Sequence, residues 1–79
     1  MRYRSFMAVD YRAIIGANIK ALRNKRGWTQ IAIAEATGLD RTYIGMVERG
    51  QGNISLDKIV VIARALDVMP STLLHVATS

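Results

Sequence analysis

Glycines and polar capping residues cut this chain into short helical pieces, and that punctuation limits the fold more than any other feature. The first helix is expected from about Asp10 to Arg26, with Ile15, Ile19 and Leu22 on one face. Lys25 and Arg26 suit the negative end of its dipole, and Gly27 stops it. Thr29 is a good N-cap for a second helix, about Thr29 to Thr37, which Gly38 ends in a left-handed turn. Trp28 and Ile33 stand at the spacing of a hydrophobic staple across its start. A third helix runs from the cap Asp40 to Arg49, with Gly50 as its stop. A fourth runs from the cap Ser55 to near Asp67. A fifth starts at Pro70, the chain's single proline, and frays before Ser79. Strand signals are scarce, since only RYRSFMAV near the N-terminus alternates, and weakly. Five short helices with tight connections predict a compact all-α domain over residues 10–79, with residues 1–9 as an extension.

Seventy-nine residues suffice for one domain near the lower size limit of a self-supporting core. With no cysteine, disulfides and thiolate metal sites are excluded, and the composition suits the bacterial cytoplasm. No apolar run is long enough to cross a bilayer, and MRYRSFMAVD is too short and broken in its apolar part to be a signal peptide. The net charge of +5 favours an anionic partner such as nucleic acid or a membrane surface. That charge is concentrated: Arg2, Arg4, Arg12, Lys20, Arg23, Lys25 and Arg26 face only Asp10 within residues 1–27. No nucleophile–base pair, metal-ligand set or phosphate-cradling glycine loop is visible, so neither an enzyme nor a cofactor is expected. His75, the single histidine, reads as a surface residue.

The second and third helices are joined by Gly38-Leu39-Asp40, the layout of a helix-turn-helix. At 100° per residue the third helix divides in two. Ile44, Val47 and Glu48 fall on one side and should anchor it. Arg41, Thr42, Gly45, Met46 and Arg49 fall on the other, with Tyr43 at the flank. The outer front end therefore joins side chains that can read bases to a helix terminus that favours phosphate.

With these marks the chain resembles the Cro/CI-type (XRE) helix-turn-helix family from about Ile15 to Leu74. The matching positions are Ile19-Lys20-Ala21-Leu22-Arg23, Gly27-Trp28-Thr29-Gln30, Ala34, Gly38-Leu39, Ile44, Val47-Glu48-Arg49-Gly50 and Ala63…Leu66-Asp67-Val68. The run Asp40-Arg41-Thr42-Tyr43-Ile44 is similar to the controller proteins of restriction–modification systems. The resemblance implies a sequence-specific DNA-binding transcriptional regulator. Arg41, Thr42 and Met46 then occupy base-reading positions, and Thr29, Gln30, Tyr43, Arg49 and Asn53 are expected on phosphate or backbone. Arg23 and Glu48 match a structural ion pair. An arginine can bond both O6 and N7 of guanine, worth about 1–3 kcal/mol of discrimination. Met46 cannot bond a base edge well, so readout should lean on Arg41 and Thr42. Gly45 costs about 1 kcal/mol against alanine in a helix; close approach of DNA on one side, and drift or packing clearance on the other, explain it equally well. Ile31 and Ala32 stand where relatives carry polar residues, which leaves a capping box unfilled and puts Ile31 at risk of exposure. Gly52 stands where related controllers carry a basic side chain.

The fourth helix, LDKIVVIARAL, is apolar on too many sides. Leu56, Ile59, Val60, Ala63 and Leu66 should pack inward. Val61, Ile62 and Ala65, with Met69, Leu73 and Val76, are then expected at a two-fold homodimer interface. Such a dimer would read a near-palindrome in double-stranded DNA, acting by occluding RNA polymerase or contacting it, and would sit with the nucleoid rather than at a membrane. Two other readings stay open: a phage repressor or antitoxin of the same fold, and a protein-interaction module that has lost DNA binding.

Overall fold

The computed structural model describes residues 9–76, so the N-terminal extension lies outside the described residues except for Val9. Five helices follow one another: α1 (Tyr11–Lys25), α2 (Gln30–Thr37), α3 (Arg41–Glu48), α4 (Leu56–Ala65) and α5 (Pro70–Leu73). Among the described residues there is no strand. The caps expected at Thr29, Asp40 and Ser55 all form, and Asp10, expected only as the approximate start of the first helix, caps α1. The Asp10 carboxylate accepts from the backbone N–H of Arg12 (3.1 Å) and Ala13, and Thr29 Oγ1 accepts from Ala32 (3.0 Å). The Asp40 carboxylate accepts from Thr42 (2.9 Å) and Tyr43, and Ser55 Oγ from Lys58 (3.2 Å). A side-chain oxygen here satisfies one or two of the N–H groups that a helix start leaves without partners. Gly38 closes α2 in the left-handed region at φ 74°.

The core is built from Ile15 and Ile19 of α1, Ile33 and Ala34 of α2, Ile44 and Val47 of α3, four residues of α4 and its cap, and Leu73 of α5. Helix α1 packs on α3 and α5, while α2 packs on α3 and α4. Where α1 crosses α3 there is no room for a side chain. A Cβ on Gly16 would collide with the backbone carbonyl oxygens of Val47 and Glu48.

Helix α4 is turned differently from expectation. Its buried residues are Ile59, Ile62 and Ala63, continued by Leu66, while Leu56 is 72% exposed and Val60 only half-buried. The inward arc is rotated toward Ile62, which places Leu56 at its edge. Helix α5 is also shorter than the sequence suggested: it ends at Leu73, with Leu74 as its cap. Asn18 of α1 explains the stop, because its Nδ2 donates to the carbonyls of Leu73 (2.8 Å) and His75 (3.0 Å). Arg26 does not serve the end of its own helix alone. Its Nε donates to the carbonyl of Leu66 at the end of α4 (3.1 Å), and its guanidinium lies 5.5 Å from the centre of the Trp28 ring.

Candidate nucleic-acid interface

The short turn through Gly38, Leu39 and Asp40 sets α3 across α2. Leu39 packs against the core, and Ile44 and Val47 hold α3 down. Arg41 and Thr42 form the exposed first turn of α3. Among the described residues neither side chain hydrogen-bonds to another; only the Thr42 backbone is engaged, by the Asp40 cap.

Behind this turn lies a polar cluster. Arg23 is 8% exposed and donates to Glu48 through Nε (2.6 Å to Oε2) and Nη2 (2.9 Å to Oε1). Its Nη1 donates to the carbonyl of Trp28 (2.8 Å). The hydrogen bond to Glu48 raises the guanidinium pKa, burial works the other way, and the nearby carboxylate charge adds to the rise. The expected ion pair is thus a bidentate, nearly dry contact between α1 and α3. Gln30 joins it, with Nε2 donating to Glu48 Oε1 (3.0 Å). That amide nitrogen is therefore engaged inside the protein, while the Gln30 backbone stays at the open start of α2. Thr29 is exposed, and its hydroxyl oxygen caps α2.

Tyr43 departs from expectation. The ring packs on the core beneath Lys58, whose ammonium is 5.5 Å from the ring centre. Its hydroxyl is buried without a hydrogen-bond partner, and burial raises the phenol pKa. In this rotamer the hydroxyl does not reach the surface, so the phosphate contact expected of it is not presented. Gly45 also departs: it is buried, although on the outward arc of α3. The Gln30 amide and the Arg49 guanidinium cover it. Met46 is half-buried, its methyl lying toward Gly52. Arg49 is exposed, and its Nε donates to Gln51 Oε1 (3.2 Å). Asn53 is exposed and accepts from Arg12 Nη1 (3.4 Å). Arg12 and Gln51 thus join the cationic rim beside α3. Sequence reasoning gave Arg12 only as part of the basic N-terminal third, because its pairing with Asn53 spans 41 positions.

The expected dimer surface needs two corrections. Ile62 and Leu73 are both 0% exposed within the single chain, so neither side chain is available to a second subunit. Val61, Ala65 and Val76 are half-buried, and Met69 is 70% exposed. Ile31 is 57% exposed on α2, as its departure from the usual polar residue implied.

Two helices joined by a glycine turn, with the second presenting a polar front end, define a helix-turn-helix protein. The helix-turn-helix family model HTH_3 matches residues 19–73, and the chain belongs to that family. A hypothetical transcription factor of Neisseria meningitidis is 43% identical over 65 residues, covering 82% of this chain and 61% of that protein. The chain therefore spans less than two thirds of that relative. The crystal structure of the restriction-modification controller protein C.AhdI from Aeromonas hydrophila superposes with a TM-score of 0.76 at 44% identity, covering 78% of this chain and 94% of that one. The biofilm regulator SinR, solved in complex with DNA, superposes at 0.73 with 34% identity, covering 77% and 98%.

Proposed function

We propose that the chain is a sequence-specific DNA-binding transcriptional regulator of the restriction–modification controller kind, acting as a homodimer on a near-palindromic operator. One observation carries this: Arg41 and Thr42 are exposed on the first turn of α3, with no side-chain partner among the described residues, while that helix is fixed from behind by a buried bidentate ion pair. A rigid mount with unpaired, base-competent side chains at its tip suits major-groove reading. Arg41 reads guanine and Thr42 a neighbouring base, and Met46 adds at most an apolar contact. The start of α2 with Thr29 and Gln30, together with Arg49, Asn53 and Arg12, faces the phosphates, which makes affinity fall with salt.

The dimer uses what α4 and α5 leave outside: Val61, Ala65, Met69 and Val76, with Leu74 now added. A copy related by two-fold symmetry then sets two α3 helices about 34 Å apart, one turn of the duplex. Regulation follows from where the dimer sits, by occluding RNA polymerase or contacting it. This partner places the protein at the nucleoid. Among the described residues no helix is long and apolar enough to cross a membrane.

Selection of duplexes from a random pool tests the reading. The parent should enrich a two-fold-related sequence with guanine at matching positions in both halves. Arg41→Ala should lose about 1–3 kcal/mol of preference there and keep non-specific binding. A parent that enriches nothing at low salt refutes the proposal. Light scattering over a concentration series tests the dimer, which fails if only monomer appears well above the DNA-binding range.

A further inference from the structure

Gly45 occupies the middle of the arc that α3 turns outward, yet it is buried. The atoms nearest to where its Cβ would stand are Arg49 Nη1 at 3.2 Å and the Gln30 side-chain oxygen and nitrogen at 3.7 and 3.9 Å. All three are side-chain atoms, from exposed Arg49 and half-buried Gln30. At Gly16, in contrast, the obstructing atoms are backbone of another helix. Gly45 therefore gives no clearance to the core. Nor is it bare backbone awaiting a close approach of DNA, because two side chains already cover it.

Arg49 follows Gly45 by four residues, one helical turn, and side chains on a helix lean toward its N-terminus. With no Cβ in the way, the guanidinium folds back along α3 and lies on Gly45. Gln30 arrives at the same point from α2. Each side chain is tied by a further bond, Arg49 Nε to Gln51 and Gln30 Nε2 to Glu48. The notch at Gly45 thus receives one side chain from each helix of the helix-turn-helix.

We infer that Gly45 is a positioning residue, its missing side chain being the seat in which the Arg49 guanidinium lies, beside Gln30, on the DNA-facing surface. The inference rests on the DNA-binding reading and assigns that surface a residue that itself touches nothing on DNA. It gives the packing clearance weighed for this glycine a named beneficiary, the Arg49 side chain.

The test is Gly45→Ala in the full chain, made alone and in the Arg49→Ala/Gln30→Ala background. The probe is the duplex that the parent enriches from a random pool. The folded state should survive: the guanidinium is a flexible end that can move aside, and alanine is the better helix former, so Tm should hold or rise by up to about 4–8 °C. Operator affinity should nevertheless fall about fivefold, as expected when charge-assisted contacts lose their geometry. In the double-variant background the same substitution should change affinity by less than roughly twofold, the usual scatter of independent sites. In the free chain, the side-chain Nε–H resonance of Arg49 should shift in Gly45→Ala. An equal affinity loss in both backgrounds overturns the inference in favour of direct DNA approach. Parent-like affinity, a collapse of Tm, or an unmoved Arg49 resonance also overturns it. A parent that enriches no duplex is a different result, which removes the DNA reading while the resonance still reports on the seat.

Discussion

Tyr43 shows how much one residue's surroundings matter. The family resemblance implies contact with DNA, while in the free chain its hydroxyl is buried with no partner among the described residues. An unsatisfied buried polar group costs about 1–3 kcal/mol. Tyr43→Phe should therefore stabilise the chain by about 1 kcal/mol, read as a higher urea midpoint at neutral pH. The two proteins should also diverge in alkali. Burial raises the folded phenol pKa above its unfolded value, so the folded state holds the proton longer. The parent's stability is then complete below the ordinary phenol pKa and declines as pH rises past it. The Tyr43→Phe variant lacks that share of the decline, so the gap between the curves should stay constant near neutral pH and widen once the pH passes the ordinary phenol pKa. If the same variant loses operator affinity, the hydroxyl turns outward on binding. At this scale the sequence was only half legible. The residue types at 41 and 42 and their exposure followed from helical periodicity. The burial of Tyr43 and Gly45 depends on Lys58, Gln30 and Arg49, which reach them from other turns and helices.

At the scale of elements, capping chemistry is local, so Asp10, Thr29, Asp40 and Ser55 marked four helix starts correctly. Facing is not local. Helix α4 has more apolar residues than one face can bury, and its neighbours decided that Ile62 went in and Leu56 stayed out. The end of α5 depends on Asn18, more than fifty residues earlier. Gly16 escaped notice for the same reason: nothing near it in sequence shows that α3 passes over it. Alanine there meets backbone that cannot swing aside. Gly16→Ala should therefore cost more than the usual 1–3 kcal/mol of overpacking and reduce both Tm and operator binding. Thermal melts check the first and duplex titrations the second. Parent-like values in both would show that α1 and α3 can separate at little cost.

For the whole molecule, the basic excess of residues 1–27 becomes useful only once α1 is laid against α3. Arg12 then stands beside Asn53 and lines one recess with Gln51, the partner of Arg49. Arg12→Gln should weaken binding evenly across duplex sequences. It should also reduce the slope of log affinity against log salt by about one per subunit. Titrations at several salt concentrations measure this; an unchanged slope would place Arg12 off the phosphates. The proposed homodimer belongs to this scale too, with Met69 and Leu74 both exposed.

The contact of α1 with α3 through bare backbone at Gly16 has an evolutionary consequence. The mount that fixes the reading helix lies behind it and involves neither Arg41 nor Thr42. Those two positions can change with roughly 0.5 kcal/mol or less at stake in folding. If Arg41 and Thr42 read bases as proposed, a lineage built on this frame can acquire new target sequences by drift at two surface codons, without first accumulating a reserve of stability.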